Sequence, residues 1–268
     1  MKIGLVGCGA IGAEIAKAID NGEISAELVA VCDRNQARAD DLIKSLKYKP
    51  VKADLDDLLD LSDLVVEAAS QSAVPVIARA TLSKGKSIMI MSVGALVDAG
   101  FYESIKSLAK EHSAKIYIPS GAISGLDGLK SASIGTIRRV ILTTTKNPAS
   151  LEGAPYIAQK NIDLKALKGP TQIFEGTAAE AVKAFPANVN VAATLCLAAR
   201  GGDVRVKVVA DPDIHVNRHE ITVEGGFGQI STRVENVPSP KNPRTSYLAA
   251  LSAIATLRSI VEPVKIGT

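Results

Sequence analysis

The chain has 268 residues, 47% of them hydrophobic and 22% charged, with a net charge of +3 spread over both signs. That length holds one large domain or two modest ones, and the composition suits a globular enzyme. The charge balance argues against a nucleic-acid or membrane surface, the 3% aromatic content without tryptophan argues against base-stacking platforms, and no apolar run reaches the length of a membrane helix.

The opening residues carry the pattern around which the rest of the chain is organised. Lys2 to Val6 predicts a short buried strand, and Gly7, Gly9 and Gly12 follow in the spacing G-x-G-x-x-G. Ile11, Ile15, Ala16, Ala18 and Ile19 then recur at helical spacing. A strand, a glycine turn and a helix in this order suit a dinucleotide. Gly7 makes the turn, Gly9 with Ala10 and Ile11 brings backbone N–H groups to a pyrophosphate, and Gly12 lets helix and strand pack closely. Glu27 to Cys32 predicts a second strand ending at Asp33. An acid about 20 residues past the fingerprint accepts hydrogen bonds from the adenine ribose. Asp33 therefore favours NAD, while Arg34 beside it lets NADP be tolerated by pairing with a 2′-phosphate.

The stretch before Cys8 is too short and glycine-broken for a signal peptide. Cys8, Cys32 and Cys196 are odd in number and widely spaced, which fits a reducing cytoplasm rather than a disulfide framework. His112, His215 and His219 form no zinc motif, so no metal is expected.

Further along, Asn35 to Leu46 predicts a helix, Val51 and Ala53 a short strand, and Asp54 to Leu61 a helix capped by Asp54. Leu64 to Ala68 has the look of a central parallel strand, with Ser70 at its carboxyl end, where open α/β sheets bind ligands. Helix, strand, helix and strand follow over Val74–Ser83, Ser87–Met91, Asp98–His112 and Lys115–Ile118. This alternation predicts a doubly wound parallel sheet, a Rossmann domain, over residues 1–119.

From Pro119 the texture changes. Pro119 to Lys130 is rich in glycine and reads as a crossing into a second domain over 120–240. Strand-like runs at Arg138–Thr145, Val204–Ala210, His215–Val223 and Gln229–Val234, with helices at Thr177–Phe185 and Asn190–Arg200, predict an α+β domain built on a mixed sheet. Residues 241–268 are expected to form a terminal helix, beginning near Thr245, that packs back on the Rossmann domain.

Three stretches of the second half carry candidate chemistry. Alternation along a strand from Ile214 to Val223 sets His215, Asn217 and His219 on one face. They form either a neutral imidazole base with its neighbours or a polar surface strand. Asn188 or Asn190 either caps a helix or holds an amide or carboxylate group. Arg244 and Thr245 suit a helix start first, and after it a substrate carboxylate.

Together these stretches resemble the L-aspartate dehydrogenase family. The resemblance rests on Gly7-Cys8-Gly9-Ala10-Ile11-Gly12, Pro119-Ser120-Gly121-Ala122 with Gly125-Leu126-Asp127, Phe185-Pro186-Ala187-Asn188-Val189-Asn190, Asn217-x-His219-x-Ile221 and Asn242-Pro243-Arg244-Thr245-Ser246. It implies a dihydrodipicolinate-reductase-like fold and NAD(P)-dependent oxidation of L-aspartate to oxaloacetate and ammonia through iminoaspartate, which in some organisms supplies NAD biosynthesis. It also implies His219 as the catalytic residue, Ala122 and Asn188 at the cofactor, and a homodimer. Two alternatives stand beside it: another dihydrodipicolinate-reductase-like or homoserine-dehydrogenase-like oxidoreductase, and a non-catalytic NAD(P)-binding redox sensor.

Overall fold

The computed structural model describes residues 1–186, 190–200, 202–239 and 242–267. They divide into two compact units, Met1–Pro119 with Ala250–Lys265, and Ser120–Ala249 with the last residues of the chain.

The first unit alternates strand and helix: β1 (Lys2–Val6), α1 (Ala10–Asp20), β2 (Glu27–Cys32), α2 (Gln36–Ser45), β3 (Val51–Lys52), α3 (Leu55–Leu61), β4 (Leu64–Glu67), α4 (Val74–Ser83), β5 (Ser87–Ile90), α5 (Ala99–Glu111) and β6 (Ile116–Tyr117). The strands lie in the order β3-β2-β1-β4-β5-β6, every pair parallel. This is the Rossmann order, and its direction reverses between β1 and β4. Local chemistry sets the helix starts: the side chains of Asn35, Asp54 and Asp98 accept hydrogen bonds from Arg38, Asp57 and Phe101 N–H groups. Ile15, Ala16 and Ile19 of α1 pack on Ile3, Leu5 and Val66. The last helix, α10 (Tyr247–Val261), contributes Ala253 and Leu257 to this same core.

Glu67 ends β4 fully buried and ties the carboxyl ends of two strands together. Oε1 accepts from Ala69 N–H at 2.9 Å and Ser92 O–H at 2.8 Å, and Oε2 from Ser92 N–H at 3.0 Å. Burial pushes its pKa up and these donors oppose the shift.

The second unit contains α6 (Leu126–Ala132), β7 (Ile137–Lys146), α7 (Pro155–Gln159), β8 (Thr171–Thr177), α8 (Ala178–Ala184), α9 (Asn190–Ala198), β9 (Val204–Ala210), β10 (Asn217–Gly225) and β11 (Gly228–Asn236). Its sheet runs β11-β10-β7-β9-β8 and is mixed: β7 and β9 are parallel, the other pairs antiparallel. Leu142, Val206, Val208 and Ile221 of the sheet share a core with Ala181 of α8 and Ala192 and Leu195 of α9. Tyr156, Phe174 and Phe185 form an aromatic trio with ring centroids 5.2–5.6 Å apart.

Three local expectations change. β8, α6 and α7 emerge where the sequence pattern predicts none of them. The terminal helix starts at Tyr247, because Asn242–Ser246 forms a strand, β13, paired with β12 (Pro238–Ser239). His215 lies outside β10. Asp211 caps a turn there, its side chain accepting from Asp213 N–H and its carbonyl from Ile214 N–H, while Asn147 donates to the Pro212 and Ile214 carbonyls. The backbone before Asn217 is thus committed to a turn and unavailable to the sheet.

Glu67→Gln is expected to lower stability by about 1–3 kcal/mol, because either amide orientation sets an NH2 group against a buried backbone N–H. Chemical denaturation measures this, and an unchanged midpoint would show that the clasp does not matter.

Candidate active site

The fingerprint of the first unit has the form that a bound phosphate needs. Gly7 has φ +103°, and a Cβ there would sit 2.4 Å from the Ala68 carbonyl oxygen. A Cβ on Gly12 would sit 2.0 Å from the Gly7 carbonyl oxygen. Both positions accept only glycine. Gly9 differs, since nothing lies within 4 Å of a Cβ built there. The space beside it is open, and α1 begins at that point with no side-chain cap and no acid in its first turn. Ala10 and Ile11, half-buried, open that helix. An anion is the natural partner for such a terminus. Asp33 is half-buried beside it. Its Oδ2 accepts from Cys8 N–H at 2.7 Å and its Oδ1 from Asn35 N–H at 2.8 Å, which fixes the carboxylate between the fingerprint and α2. Arg34 is exposed next to it. Ser70 follows β4, its hydroxyl 3.1 Å from that of Ser72. These residues fit a nicotinamide dinucleotide.

A second polar cluster lies within the other unit. His219 pairs with Thr144 across β10 and β7, and its Nδ1 is 3.0 Å from Thr144 Oγ1. Lys146 follows two residues after Thr144, and Asn217 precedes His219 by two, so all four share one sheet face. They are buried, Lys146 to 5% and His219 to 3% exposure. Burial and the Lys146 charge push His219 down to about 3, and burial pushes Lys146 down to about 8. The imidazole is therefore neutral at physiological pH. Asn236, opposite Asn217, donates from Nδ2 to the Ala122 carbonyl at 2.9 Å and the Asn217 carbonyl at 3.4 Å. Among the described residues, Asn217 Nδ2 and Asn236 Oδ1 have no hydrogen-bond partner. Thr144 and Lys146 also line a cavity of about 20 Å³ walled by Leu142, Leu151, Phe185 and Val208, room for about one water molecule.

The expected site residues thus fall into groups. Gly7, Gly9, Ala10, Ile11, Gly12 and Asp33 converge in the first unit. Asn217, His219 and, through Asn236, Ala122 converge in the second. His215 does not join them: it is exposed in the turn before β10. Asn188 lies outside the described residues, as do the side chains of Arg244 and Thr245. Arg218 and Arg233 face away from His219, on the other side of the sheet, and both pair with Glu235. Thr144 and Asn236 are absent from the expected set, and the sequence offers Lys146 only beside Arg218, Arg233 and Arg244 as a cation for the substrate carboxylates, without choosing among them. The signal for Thr144, Lys146 and Asn236, alternation on β7 and β11 in register with His219, requires the strand pairing. No group of three metal-ligating side chains occurs among the described residues, and no helix is long and apolar enough to cross a membrane.

Residues 127–260 match the family model described as "Aspartate dehydrogenase, C-terminal", and residues 7–119 that described as "Homoserine dehydrogenase, NAD binding domain". The chain is 55% identical to the L-aspartate dehydrogenase of Methanosarcina acetivorans, covering 100% of both chains. It is 56% identical to that of Methanocella arvoryzae, covering 100% of this chain and 99% of the relative. The chain belongs to the L-aspartate dehydrogenase family. The crystal structure of an aspartate dehydrogenase from Thermotoga maritima superposes with a TM-score of 0.78 at 30% identity, covering 100% of this chain and 99% of that one. The Rossmann sheet and the mixed sheet are therefore the family's architecture, and the NAD-binding match spans nearly all of the first unit's N-terminal segment.

The buried His219 sets a pH dependence of folding. Its folded pKa, about 3, lies below the ordinary 6.5, so between these values the unfolded chain binds a proton that the folded one does not. Stability is expected to fall as pH drops through that window, by up to about 1.4 kcal/mol per pH unit from this residue. Denaturation midpoints measured from pH 7 to 4 should show a shallower slope in His219→Gln. Equal slopes in the two proteins would mean that His219 is not held neutral.

Proposed function

We propose that this protein oxidises L-aspartate to oxaloacetate and ammonia through iminoaspartate, with NAD preferred and NADP tolerated as hydride acceptor. The observation that carries the reading is a buried, neutral histidine, oriented by Thr144 and flanked by a buried lysine, in a chain more than half identical to L-aspartate dehydrogenases over its full length.

The open space at Gly9, the uncapped start of α1 and the fixed Asp33 carboxylate support binding of the dinucleotide in the first unit, with Gly7, Ala10, Ile11, Gly12 and Ser70 around it. Asp33 favours a free ribose diol and repels a 2′-phosphate, and the exposed Arg34 offsets part of that repulsion. The nicotinamide, when bound, accepts the hydride from Cα of the amino acid. His219 acts on the imine that remains. With Nδ1–H donating to Thr144 Oγ1, Nε2 has the lone pair that takes a proton from the water adding to the imine carbon. Burial keeps the ring neutral and ready for this. Collapse of the carbinolamine releases ammonia and leaves the keto acid.

Ala122 and Asn188 complete the cofactor contacts in this reading. His215, Arg244 and Thr245 remain weaker substrate candidates, with His215 the least favoured because of its exposure. The free thiols of Cys8, Cys32 and Cys196 support a cytoplasmic setting. The sheet face away from His219, with its half-buried Ile141, Thr143 and Thr222, supports a homodimer.

Incubating the protein with NAD and a panel of amino acids, and following NADH absorbance, tests the reading. Turnover of L-aspartate is expected, whereas cofactor binding without turnover of any amino acid would point to a redox sensor. His219→Ala should lower turnover by about a hundredfold or more while leaving NAD affinity unchanged. The acid limb of kcat/KM, which reports the free enzyme, should lie below the ordinary histidine value of 6.5. Gly9→Ala should fold with wild-type stability yet bind NAD at least about tenfold more weakly, since its Cβ enters only the space meant for phosphate. Calorimetric titration reads this, and undiminished affinity would remove the phosphate from that place.

A further inference from the structure

Resting on the reading of His219 as the base, we propose that Lys146 and Asn217 together hold a carboxylate of the substrate beside it. L-Aspartate brings two carboxylates, and each requires a cation or N–H donors at its destination. Among the described cations of the second unit's sheet, Arg218 and Arg233 stand on the far face from His219, and Lys146 alone shares both the face and the burial of His219.

The strand register supplies the second donor. Arg218 pairs with Thr145, so the next position outward sets Asn217 opposite Lys146. Paired side chains across antiparallel strands start about 4.5–5.5 Å apart at Cβ. Asn217 Nδ2 is a buried N–H group with no acceptor among the described residues. A buried donor left so costs stability and suits an acceptor that arrives with a ligand. An ammonium and an amide N–H at neighbouring positions match the two oxygens of one carboxylate.

This arrangement also improves the base. Among the described residues, the sheet positions beside His219 on its face are Thr144 and Lys146 on β7, Asn217 and Ile221 on β10, and Val234 and Asn236 on β11. Of these only Lys146 is charged, and its charge depresses the imidazole. A carboxylate seated on Lys146 cancels that repulsion, so the imidazole becomes more basic when substrate is present. A base of very low pKa is a weak proton acceptor. Substrate binding thus strengthens the group that must act next.

The test uses the protein saturated with NADH, which cannot accept a hydride, titrated calorimetrically with L-aspartate. Lys146→Met and Asn217→Leu should each weaken L-aspartate binding by about tenfold or more. NADH affinity should stay at the wild-type value. Lys146→Met removes a buried charge and fills nearly the same volume, so its melting temperature should not fall. Lys146→Arg keeps the charge and should recover most of the affinity. In turnover with NAD, Lys146→Met should raise KM more than it lowers kcat, and its kcat/KM acid limb should move to higher pH. Wild-type L-aspartate affinity in both Lys146→Met and Asn217→Leu would overturn the clamp. So would equal losses in Lys146→Met and Lys146→Arg. If L-aspartate binds and the variants lose it as expected, but the wild type does not oxidise it, the clamp stands and the proposed activity fails.

Discussion

The second unit is built around a constraint that most proteins avoid: two ionisable side chains buried together under apolar helices. Removing an ammonium from water costs several kcal/mol unless the surroundings compensate. Here the compensation is partial, and both Lys146 and His219 are shifted toward their neutral forms. Selection for stability alone would place hydrophobic residues at these positions. The core around them shows how readily it would accept them, since Leu142 and Ile221 occupy inward positions on the same two strands, and Val206 and Val208 do so on the adjacent β9. The polar quartet is a local departure from a hydrophobic pattern, and such departures are where function concentrates.

The first unit solves a different problem. Its candidate site consists mostly of backbone, and the side chains that matter there are those that are missing. Gly7 and Gly12 bring turn, strand and helix closer than any Cβ allows, while Gly9 faces open space. Glu67 and Asp33 then lock the surrounding loops by accepting backbone N–H groups. A carboxylate is well suited to this because its two oxygens serve several donors at once.

This contrast explains what the sequence reveals. The Rossmann unit was legible nearly to the residue, because its central strands are short apolar runs and α2, α3 and α5 each begin at a capping side chain. The cofactor fingerprint was legible for the same reason: it is contiguous. His219 and Asn217 could be placed on one face by alternation, but the extension of that face to His215 failed. An Asx turn at Asp211, stabilised from a distant segment by Asn147, delays the start of the strand to Asn217. Lys146 appeared only as one of several available cations, since choosing it requires the pairing of β7 with β10 across more than seventy residues of sequence. β8 stayed hidden because a register shift between Gln172 and Phe174 breaks its alternation. α6 was masked by Gly125 and Gly128, which read as loop.

The place of α10 has a consequence for how the chain is made. Its Ala253 and Leu257 complete a core whose other members, such as Ile3, Leu5 and Ile15, lie at the opposite end of the sequence. During synthesis the N-terminal sheet leaves the ribosome first, yet its hydrophobic floor lacks these side chains until translation is nearly over. The unit that begins first is therefore sealed last. Any polypeptide cut short before the final helix emerges with an unfinished apolar surface, the kind of surface that chaperones hold and proteases clear.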